Sequence, residues 1–223
     1  MDLSDIYEEV EQALGLRLAI PECFGLYGIR AGKYTIYHMT PSHVYTAWRI
    51  LEILHGKKDS RILEIGGGYG VCAYYRFQQP LKRYTIIDLP IINLLQGFFL
   101  IKTCGADNVY LYGEKNKERK IHVLPYWMIA EMPDKSFDLT LSQISLTEID
   151  KKIAQDYVQE IARTTMQYFL SINQEGASGV GYKRFQHNIV PELVLVHGCF
   201  KRRYRFPFWM RRGVIEELYE ISS

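Results

Sequence analysis

The chain has 223 residues, 48% of them hydrophobic and 23% charged, with a formal net charge of +2 at neutral pH. That length accommodates one domain plus an appendage around a substantial core, and the composition is that of an ordinary globular protein rather than a disordered or fibrous one. So small a net charge argues against the basic surface of a nucleic-acid enzyme, and no apolar run reaches the roughly 20 residues a membrane-spanning helix needs.

The acidic start of the chain does not resemble a signal peptide. Cys23, Cys72, Cys104 and Cys199 are scattered without a CxxC pair. They read as free thiols, and the expected location is the cytoplasm. Residues 1–17 predict a short helix, with Ser4 as a cap and Ile6, Val10, Ala13 and Leu14 along one face. Residues 18–40, rich in glycine and aromatics, predict an irregular segment. Thr40-Pro-Ser then opens a helix to about Leu54, carrying Val44, Ala47, Trp48, Leu51 and Leu54 at helical spacing. Residues 1–56 are therefore expected to form a helical, lid-like segment, and 57–223 the main domain.

From Arg61 the pattern alternates between strand and helix. Strands are expected at 61–65, 83–88, 120–124, 137–142 and 166–172, with helices at 71–77, 89–104 and 150–164. Residues 91–101 are very apolar, but Asn93, Gln96 and the short length mark a buried helix rather than a membrane span. One more helix is expected near 185–195, its extent limited by Pro191. Two last strands follow near 200–206 and 214–221. Strands separated by helices imply an α/β fold with a mostly parallel, seven-stranded sheet and helices on both faces.

The first strand runs directly into Gly66-Gly-Gly-Tyr-Gly70, and a helix follows. Such a turn visits positive φ and lets the backbone approach a ligand without an intervening Cβ. Taken alone it is equally a structural turn. Asp88, at the end of the next strand, stands where an acid can accept hydrogen bonds from both hydroxyls of an adenosine ribose. Glu64, two residues before the glycines, is unhelpful to a pyrophosphate because like charges repel. It suits the ammonium of an amino-acid moiety, reached directly or through water. This charge argument favours S-adenosylmethionine over NAD.

Leu63 to Gly70 fits the first motif of the class I S-adenosylmethionine-dependent methyltransferases, E-x-G-x-G-x-G, and Tyr84 to Pro90 resembles their second. Phe137-Asp-Leu with Ser142-Gln143 is similar to their fourth strand. The pair G-G-G-Y-G and I-D-L-P is particularly similar to the bacterial sugar O-methyltransferases. The resemblance covers about residues 60–175 and implies the Rossmann-like fold of that class. It further implies Gly66, Gly67 and Gly68 beside the methionine and ribose, Asp88 on the ribose, and Leu89 beside the adenine. Tyr126 would lie at the adenine edge, with Ser142 and Gln143 facing the sulfonium. The acidic residue common after the third strand is missing, since no Asp or Glu occurs between Ile121 and Ala130.

A hydroxyl acceptor calls for a base. Glu148, after the fourth strand, and His187, beyond the fifth, are the candidates. Glu148 reads equally as a helix-start acid, and His187 reads rather as an ordinary polar surface residue. His38 is a third candidate, also readable as a structural histidine. No metal is favoured, because only Glu148 and Asp150 stand near enough in sequence. The segment Lys201 to Arg212 holds six of the 27 Lys and Arg residues, alternating with aromatics. It reads as a strand with a solvated face, or as a site for a nucleotide-sugar or phosphorylated acceptor.

The expected function is methyl transfer to a hydroxyl of a sugar or other small acceptor. A nicotinamide-dependent oxidoreductase, a non-catalytic cofactor-binding module, and a methyltransferase acting on nucleic acid or a small aromatic compound remain alternatives. Homodimer formation is left open.

Overall fold

The structure is a computed structural model that describes residues 3–23, 28–32, 34–175, 177–178, 185–186 and 188–222. The N-terminal part comprises α1 (Leu3–Leu14), the hairpin β1 (Gly28–Ala31) and β2 (Tyr34–Tyr37), and α2 (Thr40–Ile53). The alternating unit runs β3 (Arg61–Ile65), α3 (Val71–Phe77), β4 (Arg83–Asp88), α4 (Pro90–Cys104), β5 (Val109–Leu111), β6 (Ile121–Pro125), β7 (Phe137–Gln143), α5 (Lys151–Thr164) and β8 (Thr165–Gln174). It closes with β9 (Ala177–Ser178), β10 (Phe185–Gln186), α6 (Val190–Val194), β11 (Phe200–Pro207) and β12 (Val214–Ile221).

The central sheet has eight strands in the order β11-β12-β8-β7-β3-β4-β6-β5. Six of them, β5 to β8 with β3 and β4, pair in parallel, while β12 and β11 are antiparallel additions at one edge. The strand beyond the expected seven is β5, three residues at the other edge. The order of strand addition reverses at β3, with β4 on one side and β7 parallel to it on the other, and open α/β sheets bind ligands in the crevice beyond the carboxyl ends at such a point.

Alternation along β3 divides the core. Ile62 belongs to the cluster beneath α2, α3 and α4, whereas Leu63 and Ile65 belong to the cluster beneath α5 and α6. Both faces are buried, as parallel strands between two helical layers must be. In α5 the buried positions Ala154, Val158 and Ile161 follow helical spacing, and Asp150 caps the helix by accepting from the backbone N–H of Lys152 at 2.9 Å.

Three expectations change. Residues 28–37, read as irregular, contain the β1–β2 hairpin. The helix expected near 185–195 is only Val190–Val194, because Pro191 is tolerated only in a helix's first turn and residues 185–186 pair with 177–178 instead. Ser4 lies inside α1, which begins at Leu3, rather than capping it.

The stretch after α1 is pinned to α3. Leu16, Leu18 and Ile20 are buried, and the hydroxyls of Tyr75 and Tyr74 donate to the carbonyls of Leu18 and Ala19 at 2.9 and 3.0 Å. All four cysteines are free. Among the described residues, no helix is long and apolar enough to cross a membrane.

Candidate functional site

A cleft of about 630 Å³ opens at the carboxyl ends of β3, β4 and β7, and its walls include Gly66, Gly68, Asp88, Leu89, Tyr126, Ser145, Glu148 and Tyr157. The glycine turn forms one wall. Gly66 has φ +73, and a Cβ there would lie 2.4 Å from the Cβ of Ser145. Gly68 has φ +55, and a Cβ there would meet nothing within 4 Å. The backbone at Gly68 therefore faces open space, as a ligand-cradling turn requires. Gly67 points the other way, toward Ile86 and the carboxylate of Glu64.

Asp88 is fixed by a clamp. Its Oδ1 accepts from the backbone N–H of Leu89 at 2.8 Å, and its Oδ2 from Gln96 Nε2 at 2.8 Å. The same Gln96 nitrogen donates to the carbonyl of Gly68 at 3.0 Å, while Asn93 Nδ2 donates to Gln96 Oε1 at 2.9 Å. One fully buried amide on α4 thus locks the glycine turn to the acid one strand away. Burial raises the Asp88 carboxyl above its usual value, against the opposing effect of these donors.

Glu64 is not in the cleft wall. Period-2 alternation places it on the face opposite Leu63 and Ile65, where it is 2% exposed and accepts from the Tyr84 hydroxyl at 3.0 Å. With Gly67 above it, the carboxylate supports the turn from beneath. Burial, aided by the negative charge of Asp88, raises its carboxyl from 4.5 to about 7, with the Tyr84 hydrogen bond opposing.

Ser142 and Gln143 are also committed elsewhere. Ser142 is fully buried, and its hydroxyl lies 3.0 Å from that of Ser145 and 3.3 Å from Asn173 Nδ2. Gln143 Nε2 donates to Ser42 Oγ at 2.8 Å, tying the tip of β7 to the first turn of α2. Ser145, with its hydroxyl on the Ile65 carbonyl at 2.6 Å, is the serine in the cleft wall. The physical reason is strand length. Residue 143 still pairs with β8, so the chain clears the sheet only at Ile144, where φ is +49.

Leu89 and Tyr126 are 55% and 46% exposed and line the cleft. Tyr157, on α5, joins them, its hydroxyl pushed up to about 12 by burial and by the charges of Asp88 and Tyr126. No motif marks Tyr157 in the sequence, because tertiary packing alone brings it to the cleft.

Of the candidate bases, Glu148 lines the cleft and is exposed, whereas His187 lies outside the described residues. His38 follows β2, its ring against Tyr37 with centroids 4.4 Å apart. His43, beside Ser42 in the first turn of α2, is not among the residues lining the cleft. Its Nδ1 is buried without a partner, and burial together with His38 lowers its pKa to about 4, so it is neutral at pH 7. Asp138 is remote, at the opposite end of β7, accepting from Lys57 Nζ at 2.8 Å and the Arg61 N–H at 2.7 Å. Among the described residues, no three His, Cys, Asp or Glu groups are arranged to hold a metal ion.

The basic β11 is neutralised along much of its length. Arg202 and Arg205 pair with Glu217, Arg203 pairs with Glu220, and Arg205 also bonds Glu175. Tyr204 and Phe206 stack on the other face at 5.0 Å.

The fold is that of the class I methyltransferases. The chain is similar to the mitomycin 7-O-methyltransferase at 15% identity, covering 82% of this chain and 55% of that one with a TM-score of 0.59. It therefore spans about half the length of that relative. It is similar to the 1,6-didemethyltoxoflavin-N1-methyltransferase of Burkholderia thailandensis, whose structure holds 1,6-didemethyltoxoflavin and S-adenosylhomocysteine, at 15% identity over 82% of this chain and 79% of that one, TM-score 0.56. It is also similar to the magnesium protoporphyrin IX methyltransferase of Synechocystis PCC 6803, with S-adenosylmethionine bound, at 11% identity over 83% and 82%, TM-score 0.56. No family model and no curated protein sequence matches the chain.

Proposed function

We propose that the chain binds S-adenosylmethionine in the cleft beside the glycine turn and transfers its methyl group to a hydroxyl of a small acceptor. The observation that carries this reading is the Gln96 clamp, which holds Gly68 and Asp88 in one fixed arrangement at the reversal point of the sheet. The open space over Gly68 fits a nucleoside cofactor, and two of the similar structures hold S-adenosylmethionine or its demethylated product.

When bound, S-adenosylmethionine supplies an activated methyl carbon, which bonds to the acceptor oxygen as the C–S electron pair remains on sulfur. The chain's contribution is to position and desolvate. Asp88 accepts from the ribose hydroxyls, and Leu89, Tyr126 and Tyr157 enclose the adenine side. Glu148, exposed at the mouth, accepts the acceptor's proton. The sugar or nucleotide-sugar acceptor rests on the paired motifs G-G-G-Y-G and I-D-L-P alone. The neutralised arginines of β11 give a phosphorylated acceptor little support.

Isothermal titration with S-adenosylhomocysteine tests the cofactor assignment. Asp88→Ala removes two hydrogen bonds to a charged group, each worth about 1.5–3 kcal/mol, so affinity falls at least about a hundredfold. Asp88→Asn, which keeps one acceptor oxygen, loses less. Unchanged affinity in Asp88→Ala would overturn the placement of the ribose.

A further inference from the structure

A second cavity, of about 450 Å³, lies between α1, α2 and the turn joining β11 to β12. Ile6 and Val10 line it from α1, Val44 and Trp48 from α2, and Trp209 and Met210 from the turn. No charged side chain lines it among the described residues. The hydroxyl of Tyr45, another wall residue, donates to Glu216 at 2.8 Å, so that ring offers the cavity its hydrocarbon face. Edge-on contacts from Tyr45 to Trp209 and Phe208, at 6.2 and 5.5 Å, hold the aromatic wall in place.

Its location gives it a role. Val214 pairs with Gln174 at the end of β8, so the turn before Val214 stands at the carboxyl edge of the sheet, the edge that carries the cofactor cleft. Thr40 and Pro41 line the apolar cavity, the next residue, Ser42, is bonded to Gln143, and the residue after that, Ile144, lines the cofactor cleft. The first turn of α2 therefore borders the apolar cavity and is tied to the tip of β7 beside the cofactor cleft. A cavity of this size is in the range of about 300–1,000 Å³ that small-molecule sites occupy.

We propose that this cavity receives the body of the methyl acceptor, and that the acceptor is an uncharged aromatic compound of about two fused rings rather than a sugar. This inference rests on the methyltransferase reading above. A sugar would bury several hydroxyls against carbon there, and a hydroxyl buried without a partner is penalised heavily. A ring system instead exchanges water for the faces of Tyr45, Trp48 and Trp209.

The probe is 2-naphthol, titrated into the full chain saturated with S-adenosylhomocysteine, with glucose as the comparison. We expect 2-naphthol to bind once per chain and glucose to give no binding heat. Ile6→Trp, at a rim position 37% exposed, fills the cavity from its open side. It is expected to weaken 2-naphthol at least about tenfold and leave S-adenosylhomocysteine affinity unchanged. Met210→Trp, on the opposite wall, repeats the test should Ile6→Trp fold poorly. Retained cofactor-product binding with no 2-naphthol binding, or 2-naphthol affinity in both variants equal to that of the unaltered chain, overturns the inference alone. Failure of the unaltered chain to bind S-adenosylhomocysteine overturns the methyltransferase reading, and the acceptor role falls with it.

Discussion

Glu64 is a carboxylate buried beneath the glycine turn. The motif offers a carboxylate for a cation, but alternation along β3 buries it beneath the glycine turn with Tyr84 as its hydrogen-bond donor. This has a consequence for stability. Its carboxyl ionises at about 7 in the folded chain against an ordinary 4.5. Below 4.5 it is protonated in both states and has no effect. Between these values the unfolded chain gives up the proton and the folded chain keeps it, so stability falls as pH rises, and the loss is complete above 7. Glu64→Gln removes this dependence. Urea unfolding at pH 5 and pH 8 is expected to show a smaller loss of stability across that interval in the variant. An equal loss in both proteins would contradict the raised ionisation. At this scale Gly66, Gly68, Asp88, Leu89 and Tyr126 were legible as cleft residues, because they flank strand ends that the hydrophobic pattern marks. Tyr157 was not, since only tertiary packing brings it there, and neither was the buried Gln96 that clamps Gly68 to Asp88.

Among the elements, α2 carries the largest structural duty outside the sheet. Its first turn lines the apolar cavity and is tied to β7 through Ser42 and Gln143, and a buried carboxylate holds it to the C-terminal hairpin. Glu216 on β12 is fully buried and accepts from Tyr45 and Tyr204 at 2.8 Å each and from Arg49 Nε at 3.2 Å. Removing one partner of a buried ion pair costs about 3–5 kcal/mol, and Arg49 retains some exposure, so Glu216→Ala is expected near the low end, about 3 kcal/mol. Arg203→Ala, which breaks a pair with both side chains about half exposed, is expected to cost under about 1 kcal/mol. Denaturant midpoints of the two variants decide this, and equal destabilisation would contradict the account of the hairpin. The helix and both strands were readable from periodicity. The link was not, because Glu216 and Tyr45 are 171 residues apart. The short β5 escaped for a different reason, since three residues give too little alternation to register.

For the whole molecule, the alternating pattern from Arg61 onward specified a mostly parallel sheet with two helical layers, and the structure has that architecture. The sequence pattern does not show the cavity between α1, α2 and the 208–213 turn, whose walls come from segments about 200 residues apart in the chain. Local signals name the cofactor side, and only the assembled fold bears on the acceptor. The central claim is that the clamped glycine turn and Asp88 form a site for S-adenosylmethionine rather than for a dinucleotide. Parallel calorimetric titrations of the unaltered chain with S-adenosylhomocysteine and with NAD test it most directly. The account predicts one S-adenosylhomocysteine bound per chain and no binding of NAD; saturable NAD binding without S-adenosylhomocysteine binding would contradict it.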